Sequence, residues 1–271
     1  MIYLQSFKLS DKRLSCPNIY PYNVFWKREG VQFFFDRITV LYGSNGSGKS
    51  TLLNIIANTL SISGKEYATP NTYGNEDYCG NYSRECVAAL GEDEFGRPLR
   101  SLPSDSRYIK SEDILYEIKK IQQKPILNEG LLVDLIKSGK RKEEAERFLE
   151  SVNGWKVKEA VKFSQEKYSN GETSLQFFDD FIRPDALYLL DEPEVSLSPD
   201  NQVNLANKLN DMARLLGCQF IIATHSPFML GTLNAKIYDL DSGDFREADW
   251  TELENVRYFY DFFKKHDKEF E

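Results

Sequence analysis

A strand-prone run, Ile38-Thr39-Val40-Leu41-Tyr42, leads directly into Gly43-Ser44-Asn45-Gly46-Ser47-Gly48-Lys49-Ser50-Thr51. Beyond it, Leu52, Leu53, Ile55, Ile56 and Leu60 recur at helical spacing. Strand, glycine-rich loop and helix in this order demand a framework. The strand ends inside a sheet, the loop lies at its carboxyl edge, and the helix returns across one face. The unit predicts an α/β fold whose core sheet is flanked by helices.

The loop satisfies G-x-x-x-x-G-K-[ST] through Gly43, Gly48, Lys49 and Ser50. Glycines let successive N–H groups point into one concavity, and a helix opening near Lys49 adds its positive end. Such a loop cradles phosphates. Lys49 is placed to reach the β- and γ-phosphates, and the Ser50 hydroxyl to ligate Mg²⁺. Kinases, GTPases and motor ATPases share this device, so the loop alone does not choose the chemistry.

Three further stretches narrow it. In "ALYLLDEPEVSLSP", Ala186 to Leu190 reads as a buried parallel strand with Asp191 at its carboxyl end. Asp191 is expected to hold Mg²⁺ and Glu192 to polarise an attacking water, a pairing suited to hydrolysis. "FIIATHSP" brings a second strand to the same edge, ending at Thr224-His225, where an imidazole could bond a γ-phosphate. In "KYSNGETSL", Ser169 and Gly171 open a helix, a second place for an anion, although Ser169 could equally be an N-cap.

The remaining chain frames these motifs. "IYLQSFKL" and "VQFFFDRITVLYG" read as strands, the former as part of an N-terminal antiparallel β element. Residues 61–107 lose periodicity and read as an irregular insertion. From Ser111 to about Lys167 the pattern is helical and charged. "NQVNLANKLNDMARLLG" reads as a helix, "AKIYDLDSGDFREADW" as a hairpin about Ser242-Gly243, and "DFFKKHDKEFE" as a surface helix. One domain over 1–271 is expected, with a core lobe of about 1–110 and 176–250, a helical lobe of about 111–175 and a C-terminal helix of about 251–271.

Bulk properties exclude some classes. Net charge is −8, so the chain as a whole is not built to coat nucleic acid or an anionic membrane. The run holding Lys137, Lys140, Arg141, Lys142 and Arg147 is interleaved with three glutamates and reads as a solvated face; nucleic acid stays a possible but unindicated partner. No stretch approaches the roughly 20 apolar residues of a membrane span, and the start shows no signal-peptide pattern. A cytoplasmic protein is expected. Cys16, Cys79, Cys86 and Cys218 form no CxxC pair and read as buried or incidental thiols of a reducing cytosol.

The order of the motifs resembles the ATP-binding cassette (ABC) ATPase family. "GSNGSGKST" is similar to its phosphate loop, "YSNGE" to its signature, "LYLLDEPE" to its metal strand, "SLSP" to its dimer-contact loop and "THSP" to its switch histidine. The likeness covers the core from about Ile2 to Asp241 and is nearer the soluble chromosome-maintenance, RecF and OLD-like branch, and small bacterial AAA/ABC-like ATPases, than transporters. The resemblance implies a P-loop NTPase fold of ABC type with a mixed core sheet. It implies ATP and Mg²⁺ as ligands, Glu192, His225 and Lys49 as catalytic residues, and Gly43 through Thr51 with Ser169 and Gly171 around the nucleotide. Ser50, Asp191 and Glu112 would serve the metal, Glu112 or Ser111 standing where the family places a glutamine. Asn170 replaces the signature's first glycine. Phe25 and Trp26 are candidates for stacking on adenine.

The family mechanism implies an ATP-dependent homodimer in which Ser169 and Gly171 of one copy cap the phosphate held by Lys49 of the other. The expected role is a soluble switch in DNA maintenance or antiphage defence. The alternatives are a transporter's ATPase subunit and a non-catalytic ATP-gated regulator of an effector protein.

Overall fold

The computed structural model describes residues 1–14, 18–66, 77–114, 116, 132, 135–136, 138, 141–151 and 171–270. The chain divides into two compact units, Met1–Ser111 with Ile182–Glu271, and Glu112–Phe181.

The first unit holds two sheets. Strands β1 (Leu4–Lys8), β2 (Gln32–Phe34), β3 (Ile38–Tyr42), β4 (Val87–Leu90), β5 (Arg107–Lys110), β6 (Leu187–Asp191), β7 (Gln219–Thr224) and β8 (Lys236–Asp239) follow in chain order. β2-β1-β4 form an antiparallel sheet; β5-β6-β7-β3-β8 form a sheet whose neighbours all run parallel. The two strand directions thus fall mainly into separate sheets, and an antiparallel bridge, Tyr238 to Glu247, closes the hairpin beyond β8. Every residue of β3, β6 and β7 is buried, as expected of parallel strands covered on both faces.

Helix α1 (Lys49–Thr59) buries Leu52, Leu53, Ile55 and Ile56. The insertion is more regular than its composition suggests. Helix α2 (Tyr78–Glu85) is capped by the Asp77 side chain, which accepts from Gly80 N–H at 2.9 Å. β4 then pairs with β1. Helix formation in "YCGNYSRE" rests on tertiary burial: Tyr82 is 2% exposed, stacks on Phe25 at 5.7 Å and meets Tyr22 edge-on at 4.8 Å.

Buried Gln219 joins the two sheets. Its amide accepts from Tyr3 N (2.8 Å) and Leu4 N (2.9 Å) and donates to Leu4 O (2.9 Å) and Asp36 O (3.1 Å). All four amide hydrogen-bonding positions are used on backbone groups.

In the second unit, α3 (Lys142–Glu150) buries Ala145 and Leu149. In α4 (Gly171–Phe181), Phe177 stacks on Phe181 at 4.6 Å. The first unit ends with α5 (Pro199–Leu215), α6 (Pro227–Thr232) and α7 (Glu254–Lys265). α7 buries only Val256, and its Tyr258, Phe259, Phe262 and Phe263 are exposed. Cys86 and Cys218 are buried free thiols, pushed up by burial to about 12 and about 11; Cys16 lies outside the described residues.

Candidate functional site

The carboxyl ends of β3, β6 and β7 converge on one edge of the parallel sheet. β3 passes straight into the glycine loop, which turns through Gly46 (φ 85°) and Gly48 (φ 97°) before α1 begins at Lys49. A Cβ on Gly48 would stand 2.6 Å from Val24 Cγ1, so a side chain there meets both a forbidden dihedral and a wall. The Lys49 side chain is 5% exposed, and its ammonium donates to Gly43 O (2.7 Å) and Ser44 O (3.1 Å). The loop curls round this cation. Its first turn is clasped by Asp241 at the exit of β8, which accepts from Ser44 N (2.7 Å) and Ser44 Oγ (2.9 Å). An open cavity of about 410 Å³ lies alongside, lined by Gly43, Ser44, Asn45, His225 and Asp241 among others.

β6 delivers two adjacent acids with different surroundings. Asp191 is buried, and its Oδ2 accepts from Tyr108 Oη at 3.2 Å. Burial pushes the Asp191 carboxyl up, opposed by the neighbouring Ser50 and Tyr108 hydroxyls. Glu192 turns away in the left-handed region (φ 47°), its N–H held by Ala223 O at 2.9 Å. Its Oε1 lies 3.8 Å from Lys49 Nζ and 3.3 Å from His225 Nδ1. His225 leaves its imidazole about half exposed, while its carbonyl accepts from Asn255 Nδ2 at 3.0 Å.

The acids fit a divalent cation. Asp191 Oδ1 and Ser47 Oγ are buried with no hydrogen-bond partner among the described residues, and Ser50 and Asp191 already adjoin. One carboxylate and one hydroxyl, all oxygen, with the remaining positions left to phosphate and water, is the donor set that suits Mg²⁺.

Of the residues singled out from the sequence, Gly43 to Thr51, Asp191, Glu192 and His225 share this edge. Ser50 and Thr51 stand in the first turn of α1, where Thr51 Oγ1 accepts from Tyr20 Oη at 3.4 Å. Ser169 and Asn170 lie outside the described residues; Gly171 is the first residue of α4. Glu112 is exposed and opens the second unit. Phe25 is not available to a base: it is 1% exposed and stacked on Tyr82. Trp26 has the Arg13 guanidinium 5.3 Å over its ring.

Three participants escaped the sequence reading. Tyr108 stands in an unremarkable strand, "RYIK". Asp241 belongs to a hairpin. Glu194 reads as part of a charged turn, yet it is 5% exposed, and burial pushes its carboxyl up to about 7. The available hint was an acid flanked by Pro193, Val195 and Leu197, an apolar setting for a charge.

The family model described as "AAA domain, putative AbiEii toxin, Type IV TA system" matches residues 110–231. A "Putative ABC transporter ATP-binding protein" of Sulfurisphaera tokodaii is 26% identical over 211 residues, 76% of this chain and 38% of that protein. Strand β3, the glycine loop and α1 form a P-loop unit at the carboxyl edge of a parallel sheet. Solved structures similar to this chain include the SMC head domain from Thermotoga maritima (15% identity, 92% of this chain and 99% of that one, TM-score 0.43). Another is a nucleotide-free ATP-binding cassette from an ABC transporter (14% identity, 93% and 94%, TM-score 0.44). A third is the Smc head domain from Pyrococcus furiosus with an extended coiled coil, bound to the C-terminal domain of ScpA (14% identity, 92% and 96%, TM-score 0.43). The chain spans 38% of the length of the curated relative, well short of the whole.

Proposed function

We propose that this chain binds ATP with Mg²⁺ and hydrolyses it at a site completed by a second copy of itself. The observation that carries the reading is the convergence of Lys49, Glu192 and His225, with Glu192 Oε1 within 3.8 Å of the ammonium and 3.3 Å of the imidazole. A buried cation, a carboxylate base and an imidazole at one sheet edge are the parts that phosphoryl transfer to water needs.

In this reading the glycine loop wraps the phosphates and Lys49 gives up its loop carbonyls to neutralise them. Glu192 takes a proton from the water that attacks the γ-phosphorus as ADP departs, and His225 bonds the γ-phosphoryl group. Ser50 and Asp191 would hold Mg²⁺, and the ion would supply charge neutralisation on the phosphate oxygens. Ser169 and Gly171 of one copy cap the γ-phosphate bound by its partner. ATP is then a ligand for two chains, so binding favours the closed dimer and hydrolysis reopens it. The role is a switch in DNA maintenance or antiphage defence. The description of the matched family, which names a toxin of a toxin–antitoxin system, supports defence.

A second reading, the ATP-binding subunit of a transporter, is favoured by the name of the Sulfurisphaera relative. Among the described residues no helix is long and apolar enough to cross a membrane, so this reading requires a separate membrane partner.

The test is turnover and mass together. Mg-ATP hydrolysis is measured with and without double-stranded DNA, and Glu192→Gln is sized by light scattering in excess Mg-ATP. A dimer that forms with ATP and dissociates without it supports the composite site; a monomer under both conditions overturns it.

A further inference from the structure

We infer that Glu194 is a positioning residue that sets the His225 imidazole against Glu192; the inference rests on the hydrolytic reading above. Glu194 touches neither the phosphate loop carbonyls nor Glu192 through any hydrogen bond. It acts through the backbone on either side of His225.

Its own backbone is fixed first. The turn after β6 passes through Glu192 (φ 47°) and Ser196 (φ 70°), and two overlapping bonds, Val195 N to Glu192 O (3.1 Å) and Leu197 N to Glu194 O (3.0 Å), lock the intervening residues. The buried carboxyl then accepts from the Thr224 hydroxyl through Oε1. The same Thr224 oxygen accepts from Ser226 N at 3.0 Å. One carboxyl therefore anchors the residue before His225 directly and the residue after it at one remove. Ser226 is pinned from its other side, its Oγ donating to Gln202 Oε1 (2.5 Å) and accepting from Met229 N (3.2 Å).

The imidazole needs such an anchor. It is about half exposed, so its place is decided by the backbone that carries it, and that backbone meets the β6 turn at two points: Glu192 N to Ala223 O, and Glu194 to Thr224. Beside the Glu192–His225 contact itself, the second is the side-chain hydrogen bond that joins the two turns.

Stability does not explain the acid. Glu194 Oε2 is buried without a hydrogen-bond partner among the described residues, a half-satisfied carboxyl that an apolar side chain would improve on. What an apolar side chain cannot do is accept from Thr224.

The full chain carrying Glu194→Gln or Glu194→Leu, each alone and on His225→Ala, tests this. Expected for Glu194→Leu is a kcat lowered about 10-fold or more with the ATP Kd within about 2-fold of the parent, while Glu194→Gln, whose amide oxygen still accepts from Thr224, recovers most of the loss. On His225→Ala the leucine should cost less than about 2-fold further, because both changes remove one function. Independently of turnover, the imidazole NMR resonances of His225 should move in Glu194→Leu and stay in Glu194→Gln, with His266 as the internal reference. Unmoved His225 resonances in the leucine variant, a full additive loss on His225→Ala, or a glutamine variant as impaired as the leucine would each overturn the inference. A parent protein with no ATP turnover would overturn the hydrolytic reading alone, and the resonances would still decide whether Glu194 places His225.

Discussion

His225 Nδ1 lies 3.3 Å from Glu192 Oε1, although the two residues arrive on different strands and Glu192 reaches its place only by adopting a left-handed backbone. A non-glycine residue with positive φ costs free energy that the fold recovers elsewhere; here the Glu192 N–H bond to Ala223 O holds the turn. On the proposed hydrolytic reading Glu192 is the base and His225 has a supporting part. Glu192→Gln is expected to retain ATP affinity within about 3-fold and to lose kcat by about 10²- to 10⁴-fold. His225→Ala should lose less. Single-turnover hydrolysis beside equilibrium binding separates the two effects, and turnover surviving in Glu192→Gln would remove the base assignment.

Lys49 makes a different prediction. Its ammonium is buried and satisfied by Gly43 O and Ser44 O, so its removal strips charge from the loop and two donors from its carbonyls. Lys49→Ala should raise the ATP Kd by about 100-fold or more, roughly the 3 kcal/mol of a charge-assisted contact. Gly48→Ala attacks the same loop by shape: the new Cβ meets Val24 Cγ1 at 2.6 Å in a dihedral that alanine avoids. A loss of about 1–3 kcal/mol in stability, with weakened nucleotide binding, should appear in urea unfolding and fluorescence titration.

The parallel core and its loop were legible because their signals are local. Five buried residues, a glycine turn and a helical repeat sit within twenty-odd positions of one another in the chain, and "LYLLDEP" and "FIIATH" repeat the pattern of a buried run ending in a functional group. What stayed hidden depends on contacts remote in the chain. Tyr108 meets Asp191 across 83 residues, through the pairing of β5 with β6. Helix α2 has a poor helical composition and exists because Tyr82 finds Phe25 and Tyr22. Glu194 looks like one more surface acid until β7 closes over it.

Gln219 marks the junction of the two sheets, and its value lies in what it leaves behind when removed. Gln219→Leu would fill much of the volume while orphaning Tyr3 N, Leu4 N and Leu4 O in the core. The expected loss is about 3–5 kcal/mol, from buried backbone groups deprived of partners. It should be measurable as a lower urea midpoint with little change in m. An unchanged midpoint would show that the two sheets hold together without this amide.

The last prediction concerns pH and follows from the burial of Glu194. An acid pushed up from 4.5 to about 7 in the folded chain binds its proton more tightly there than when unfolded. Between those values the folded state carries more protons, so this group makes stability fall as pH rises from about 4.5 through about 7, and the penalty is complete above that. At 1.36 kcal/mol per pH interval the whole effect is about 3 kcal/mol. Glu194→Gln carries no titrating group at that position. It should match the parent protein near pH 4.5 and exceed it by up to about 3 kcal/mol at pH 8. Chemical unfolding of both proteins across that range checks the sign as well as the size: a gap that closes on going to higher pH would mean that Glu194 is stabilised as the carboxylate, and that its surroundings are wetter or more cationic than Thr224 and the β6 turn provide.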